Sequence, residues 1–388
     1  MVYAFMLWRR GMKQESNSDK LLGSFLLLAA LYVIPWMTGF AGWYDSEKPF
    51  YREFLFYTPF VHGLLMGPLL YLYVKTITNF RYQLQKKDWI HFLPGLLFIA
   101  WSIMVVIVDK LIVKRYYLMN GVTDPDFDNW YHWLQNISIL FYLVLSIHYY
   151  MQYKRYVNYE MSFKDAASIG WLRNFLIAFG IITMLPLIQF LLSFIPFFQN
   201  MDYIGSWYYF LSFALVVYYI AINGFNAVSI PLKKLLFQPE LLLQYQQPAL
   251  LPAPSAFNTK DTEYELVKDE LKEDFYLKQW KEKITAAMQH EKLYEDAELT
   301  LSQLAKKFSS NPSVLSKVIN QGFQLNFNDF VNSYRVTAVI DLLKSGEQKN
   351  QTLLGIAFDC GFNSKATFNR AFKKQMGMSP KDWLVQNK

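Results

Sequence analysis

Residues 304–372 carry one short pattern twice. The first copy reads Leu304-Ala305, then Asn311-Pro312-Ser313, then Leu315-Ser316-Lys317-Val318-Ile319. The second reads Ile356-Ala357, then Gly361-Phe362-Asn363-Ser364, then Phe368-Asn369-Arg370-Ala371-Phe372. Each copy is a short apolar helix, a polar turn, and a second helix with apolar residues on one side and Lys, Arg, Asn or Ser on the other. That is the pattern of a helix-turn-helix unit, and two in tandem suit two adjacent segments of a DNA groove.

In the first copy Leu301, Leu304, Ala305 and Phe308 share a helical face, and Ala305 is small where two helices approach closely. Ser309, Ser310 and Asn311 offer N-cap oxygens, and Pro312 suits a first helical position. Val314, Leu315, Val318 and Ile319 then face inward. Asn311, Ser313, Ser316, Lys317 and Asn320 are left for DNA bases or phosphates. In the second copy Gly361 sits in a turn that calls for a positive φ. Phe368, Ala371 and Phe372 face inward, while Ser364, Lys365, Asn369, Arg370, Lys373 and Lys374 face outward. Between the copies, Phe327, Phe330, Val331, Tyr334, Val339, Leu342 and Leu343 describe one linking helix. Phe275, Trp280, Ile284 and Met288 recur every four residues and predict a helix that opens the domain.

The rest of the chain reads as membrane. Charged residues are 18% of the 388, low for a soluble protein, and the formal net charge is +7. Apolar blocks cover residues 21–40, 54–74, 89–108, 131–150, 171–195 and 205–225, each near the twenty residues of a spanning helix. Trp and Tyr crowd their ends, as at Trp43-Tyr44, Trp130-Tyr131 and Trp207-Tyr208. Lys and Arg concentrate in alternate loops: Arg9, Arg10, Lys13 and Lys20; Lys75, Arg81, Lys86 and Lys87; Lys154, Arg155, Lys164 and Arg173; Lys233 and Lys234. By the positive-inside rule these loops and the C-terminal region are cytoplasmic. Met1–Trp8 reads either as an interfacial stub or as the last turns of a seventh span.

The predicted architecture is all-α: a polytopic transmembrane bundle over 1–230, a Pro/Gln-rich and acidic linker over 231–273, and a cytoplasmic domain with two helix-turn-helix units over 274–388. No nucleophile motif, metal-ligand spacing or intramembrane carboxylate pair stands out, so no catalytic centre, metal or cofactor is expected. His62 and His148 are the candidate intramembrane sensing residues. The bland reading of each is a hydrogen bond to a neighbouring helix. Cys360, the one cysteine, reads as a buried small side chain.

The residues quoted above, with Asn326-Phe327-Asn328-Asp329-Phe330-Val331-Asn332-Ser333-Tyr334-Arg335, Lys373-Lys374 and Gly377-Met378-Ser379-Pro380-Lys381-Asp382-Trp383, resemble the AraC-type transcription regulator DNA-binding domain over about 278–388. The resemblance implies an all-helical domain whose two recognition helices enter successive major-groove segments. Gln324 departs from it, standing where members often carry Gly. Residues 67–74 and 91–94 are similar to segments of a membrane-anchored branch in Bacteroidetes-type bacteria, in place of the usual cupin-like sensor. The expected partners are double-stranded DNA and the lipid bilayer, with a small-molecule or lipid signal and a homodimer as further candidates. The expected location is the bacterial inner membrane. The rival readings are a helix-turn-helix domain that serves protein–protein contacts, and a transporter with an appended regulator.

Overall fold

The computed structural model describes residues 1–79, 81–162, 170–192, 203–226 and 265–387, with isolated positions at 195, 237, 239–240 and 242. Among these residues the fold is all-helical and holds no strand, with an isolated bridge between Met161 and Thr300. The chain divides into two compact units. The first holds Met1–Met151 and Gly170–Leu236; the second holds Gln152–Ile169 and Phe237–Lys388. The Pro/Gln-rich linker expected around residues 244–256 lies outside the described residues.

The first unit contains α1 (Val2–Lys13), α2 (Asn17–Phe40), α3 (Pro49–Tyr57), α4 (Gly63–Thr78), α5 (Leu93–Val106), most of α6 (Asn129–Glu160), α7 (Gly170–Leu192) and α8 (Tyr203–Asn226). Residues 2–8 belong to α1, with Met1 at its N-cap, and the helix buries Ala4, Leu7 and Gly11. Arg10 ties it down, donating from Nε and Nη2 to the Asp19 carboxylate at 2.6 and 2.9 Å and from Nη1 to the Phe225 carbonyl at 2.7 Å. Among the described residues, four helices are long and apolar enough to cross a membrane: Asn17–Phe40, Lys86–Ile112, Asn129–Glu160 and Tyr209–Asn226. Gly63–Thr78 and Gly170–Leu185 are shorter apolar helices.

The predicted helix over 54–74 is broken. α3 stops at Tyr57, and residues 58–62 are not helical before α4 begins at Gly63. Pro59 explains the break, since it lacks an N–H and keeps Thr58 out of the helical region. The freed backbone groups are satisfied by side chains from a neighbouring loop and from the start of α6. Asp126 accepts from the N–H groups of Phe60 and Val61 at 2.9 and 3.2 Å, and the Tyr131 hydroxyl donates to the Val61 carbonyl. The same loop is held by Tyr44, which donates to Asp124 at 2.7 Å, and by buried Asp109, which accepts from the N–H groups of Tyr117, Leu118 and Met119.

Burial raises the Asp124 carboxyl to about 6. Burial, reinforced by the charge of Asp124, raises Asp126 to about 8. Both carboxyls hold protons more tightly in the fold than in the unfolded chain. Their stabilising contribution is therefore complete below the ordinary carboxylate value of 3.8 and fades as pH rises, through about 6 for Asp124 and about 8 for Asp126. Thermal melts of the detergent-solubilised protein should show stability falling across that window. Asp126→Asn should flatten the upper part of the fall.

The second unit opens with α9 (Glu265–His290) and continues with α10 (Leu301–Lys307), α11 (Pro312–Gly322), α12 (Phe327–Lys344), α13 (Leu353–Asp359), α14 (Lys365–Met376) and α15 (Pro380–Gln386). Ile284 and Met288 of α9 are fully buried and Trp280 packs beside them, as the four-residue spacing predicts. Phe275 is not part of that stripe: it is 58% exposed. Two apolar cores form. One gathers Ile284, Leu301, Leu304, Ala305, Leu315, Val318 and Ile319. The other gathers Ile356, Ala357, Cys360, Phe362, Phe368, Phe372 and Trp383. The linking helix α12 serves both, giving Phe327, Phe330 and Val331 to the first and Val336, Val339, Ile340 and Leu343 to the second.

Two turns adopt positive φ, one at a glycine and one at a residue with a side chain. Gly361 has φ +89°, and a Cβ there would collide with the Tyr294 carbonyl oxygen. Gln324 has φ +56°, so the position where Gly is often found adopts a glycine-like conformation with a side chain in place. Gly361→Ala should destabilise the second unit by about 2 kcal/mol or more. Gln324→Gly should stabilise it by about 1 kcal/mol. Chemical denaturation of the two variants beside the parent checks both signs.

Candidate nucleic-acid interface

Each candidate recognition helix is positioned by its cap and its buried face. Asn311 caps α11, its side-chain oxygen accepting from Val314 N–H at 2.9 Å, with Pro312 at the first helical position. Val314, Leu315, Val318 and Ile319 are buried. That leaves Ser313, Ser316 and Lys317 half-buried and Asn311 and Asn320 exposed. Ser364 caps α14 in the same way, accepting from Thr367 N–H at 3.1 Å. Thr367, Phe368 and Phe372 are buried, and Lys365, Asn369, Arg370, Lys373 and Lys374 are exposed. The two copies share a frame, and the second presents the more basic and more open face.

Asn311 and Ser364 thus act first as caps, which aims their helices whatever else they touch. Lys374 is also engaged: its Nζ lies 2.7 Å from Asp329 on α12. An ion pair this exposed contributes little and yields readily to a phosphate. Beside it, Gln375 donates to the Thr337 hydroxyl at 3.3 Å, so α14 is pinned to the linking helix at its C-terminal end.

The largest buried polar group in the unit is one that the outward-face reasoning passed over. Arg335 on α12 is 1% exposed. It donates to the carbonyls of Tyr294 and Asp296, each at 2.8 Å, to Asn332 Oδ1 at 3.2 Å and to the Ser162 hydroxyl at 3.4 Å. Burial pushes it down to about 10. The guanidinium also stacks 5.9 Å over the Phe362 ring. The signal was present in the spacing, since Arg335 lies four residues from both Val331 and Val339 and so falls on the inward stripe. Cys360 is buried in the second core, and burial raises its thiol to about 11, which leaves it protonated and unreactive.

The two candidate sensing histidines occupy different settings. His62 is buried in the break before α4, hydrogen-bonded to the Pro59 backbone. His148 lies on an exposed face of α6. Among the described residues, no group of three or more His, Cys, Asp or Glu is placed to hold a metal ion.

A family model described as a helix-turn-helix domain matches residues 304–386. This stretch holds both capped helices and the linking helix between them. The chain carries an AraC-type helix-turn-helix domain. An uncharacterized HTH-type transcriptional regulator of Bacillus subtilis (strain 168), YtdP, is 27% identical over 93 residues, covering 24% of this chain and 12% of the relative. A second uncharacterized HTH-type transcriptional regulator, SACOL0084 of Staphylococcus aureus (strain COL), is 30% identical over 103 residues, covering 26% of this chain and 13% of the relative. The chain thus spans about an eighth of the length of these relatives. No solved structure matches it.

Within this domain Arg370 and Phe368 lie two positions apart on α14 and have opposite settings: Arg370 is exposed and Phe368 is 2% exposed. Arg370→Ala should leave the melting temperature near the parent's and weaken DNA binding by about 1–3 kcal/mol if the side chain reads a base edge. Phe368→Ala should cost about 3–5 kcal/mol of stability by emptying the second core. Gel shifts and thermal melts on both variants separate the roles.

Proposed function

We propose that this protein is a membrane-embedded, sequence-specific transcription regulator whose helix-turn-helix domain reads DNA on the cytoplasmic side. The observation that carries the reading is the pairing, on one chain, of the tandem DNA-binding domain with helices of membrane length that expose apolar surface. Lys86–Ile112 has the highest mean hydropathy of the four, 2.2, yet only 17% of its most apolar stretch is buried. Leu97, Trp101, Ile103, Leu111 and Ile112 all lie exposed along it. A soluble protein rarely leaves so long an apolar strip open, and lipid is the solvent that suits it. Lys and Arg in alternate loops orient the C-terminal domain to the cytoplasm, where DNA is.

Unit one supplies the sensing role in this reading. A cavity of about 310 Å³ lies among Phe56, Phe98, Trp101, Asn120, Asp126 and Trp130. It abuts the broken helix between α3 and α4, where a bound lipid or small molecule would reach the residues around Pro59. His62 sits in the same break.

Two measurements test the reading. Reporter fusions after Lys388 should be active only with a cytoplasmic reporter, and fusions within residues 41–53 or 109–129 only with an extracytoplasmic one. A periplasmic C-terminus would overturn it. DNA affinity should also fall with salt at a log–log slope of about −4.5, from the five cations Lys317, Lys365, Arg370, Lys373 and Lys374 at roughly 0.9 per phosphate contact. A flat response would remove DNA as the partner.

A further inference from the structure

The two helix-turn-helix units have one pattern but differ in cover. On α14 the cations of the outward stripe are exposed; on α11 Ser313, Ser316 and Lys317 are half-buried. Across from Ser316 and Asn320 on α11 lies the C-terminal end of α6. Arg155, Asn158 and Tyr159 face Ser316, Asn320, Asn326 and Phe327 across a cavity of about 330 Å³. The last turns of α6, from Gln152 onward, belong to the second unit.

The residues that follow are inserted rather than merely adjacent. Glu160, Met161 and Ser162 are each no more than 2% exposed. The Glu160 carboxylate accepts from Ser302 N–H at 3.0 Å. Met161 bridges to Thr300. Ser162 donates from its hydroxyl to the Leu299 carbonyl at 2.7 Å, and its own carbonyl accepts from Asn328 Nδ2 at 2.6 Å. Its hydroxyl also meets Arg335, the buried cation at the middle of the linking helix. The segment therefore engages α10, the turn before it, and α12, the three elements that frame the first reader.

We propose that the end of α6, residues 155–162, is an intramolecular latch that docks on the first helix-turn-helix unit and covers the DNA-reading face of α11. A recognition helix must enter a major groove about 12 Å wide, and a second helix about 10 Å across on the same face fills the space the duplex needs. The latched protein presents one open reader, α14, and one covered reader, α11. Both readers engage DNA only when residues 155–162 leave. The latch rests on the DNA-reading function proposed above and gives it a means of control: α6 is also one of the four membrane-length helices, so a change in that helix acts on the latch through continuous backbone.

The test uses the full chain in nanodiscs. Asn158→Cys with Asn320→Cys allows a cleavable methanethiosulfonate cross-linker to fix the latch, with buried Cys360 as the background thiol. Asn158→Ala/Tyr159→Ala/Glu160→Ala weakens it from the α6 side without touching Arg335 or the apolar cores. The cross-linked protein should bind promoter DNA at least about tenfold more weakly than the same double variant before cross-linking, within the usual range of coupling between sites, and recover on reduction. The triple variant should bind about tenfold more tightly, and Asn320→Cys should react faster with a maleimide in that background. Equal affinity and equal thiol reactivity in latched, parent and released forms would overturn the latch while leaving DNA reading intact. Loss of salt-dependent binding in every form, with Arg370→Ala no different from the parent, would overturn the DNA-reading function and the latch with it.

Discussion

The second unit depends on the burial of Arg335. A guanidinium out of water is costly unless its donors find acceptors, and here the acceptors are the Tyr294 and Asp296 carbonyls, Asn332 and Ser162. These come from the turn before the first reader, from the linking helix, and from the segment after α6. The one cation thus fixes the positions of elements distant in sequence. It does so at the middle of α12, where the first core gives way to the second. The spacing between the two recognition helices follows from that helix.

Charge is handled differently in the first unit. There the buried groups are carboxylates, and what they bind is unpaired backbone. Asp126 takes the N–H groups freed by Pro59, and Asp109 takes three more from residues 117–119. In apolar surroundings an unsatisfied N–H is expensive, so a helix can be interrupted only where such acceptors stand ready. The break between α3 and α4 is built rather than accidental, and it adjoins the aromatic cavity.

Local patterns were the legible part of the sequence. The inward faces of α10, α11 and α14, the cap at Asn311, the positive φ at Gly361 and the linking helix all follow from spacings of three and four and from turn chemistry. Where sequence reading fell short, long-range pairing decided the structure. The apolar block at 54–74 gave no hint that Asp126, more than sixty residues on, would make a break affordable. Arg335 falls on the inward stripe of the linking helix by spacing, but its carbonyl partners lie about forty residues away in sequence. Phe275 continued a stripe whose core had already ended. The insertion of Glu160–Ser162 joins residues well over a hundred positions apart, which no periodicity can report.

The central claim is that a protein held in the membrane reads DNA through its tandem helix-turn-helix domain. Chromatin capture of the tagged full-length protein from the membrane fraction, set beside the Arg370→Ala variant, tests it most directly. The account predicts discrete genomic sites for the parent, containing two half-sites about one helical turn apart, and loss of those sites in the variant. The same diffuse signal from both proteins would contradict it.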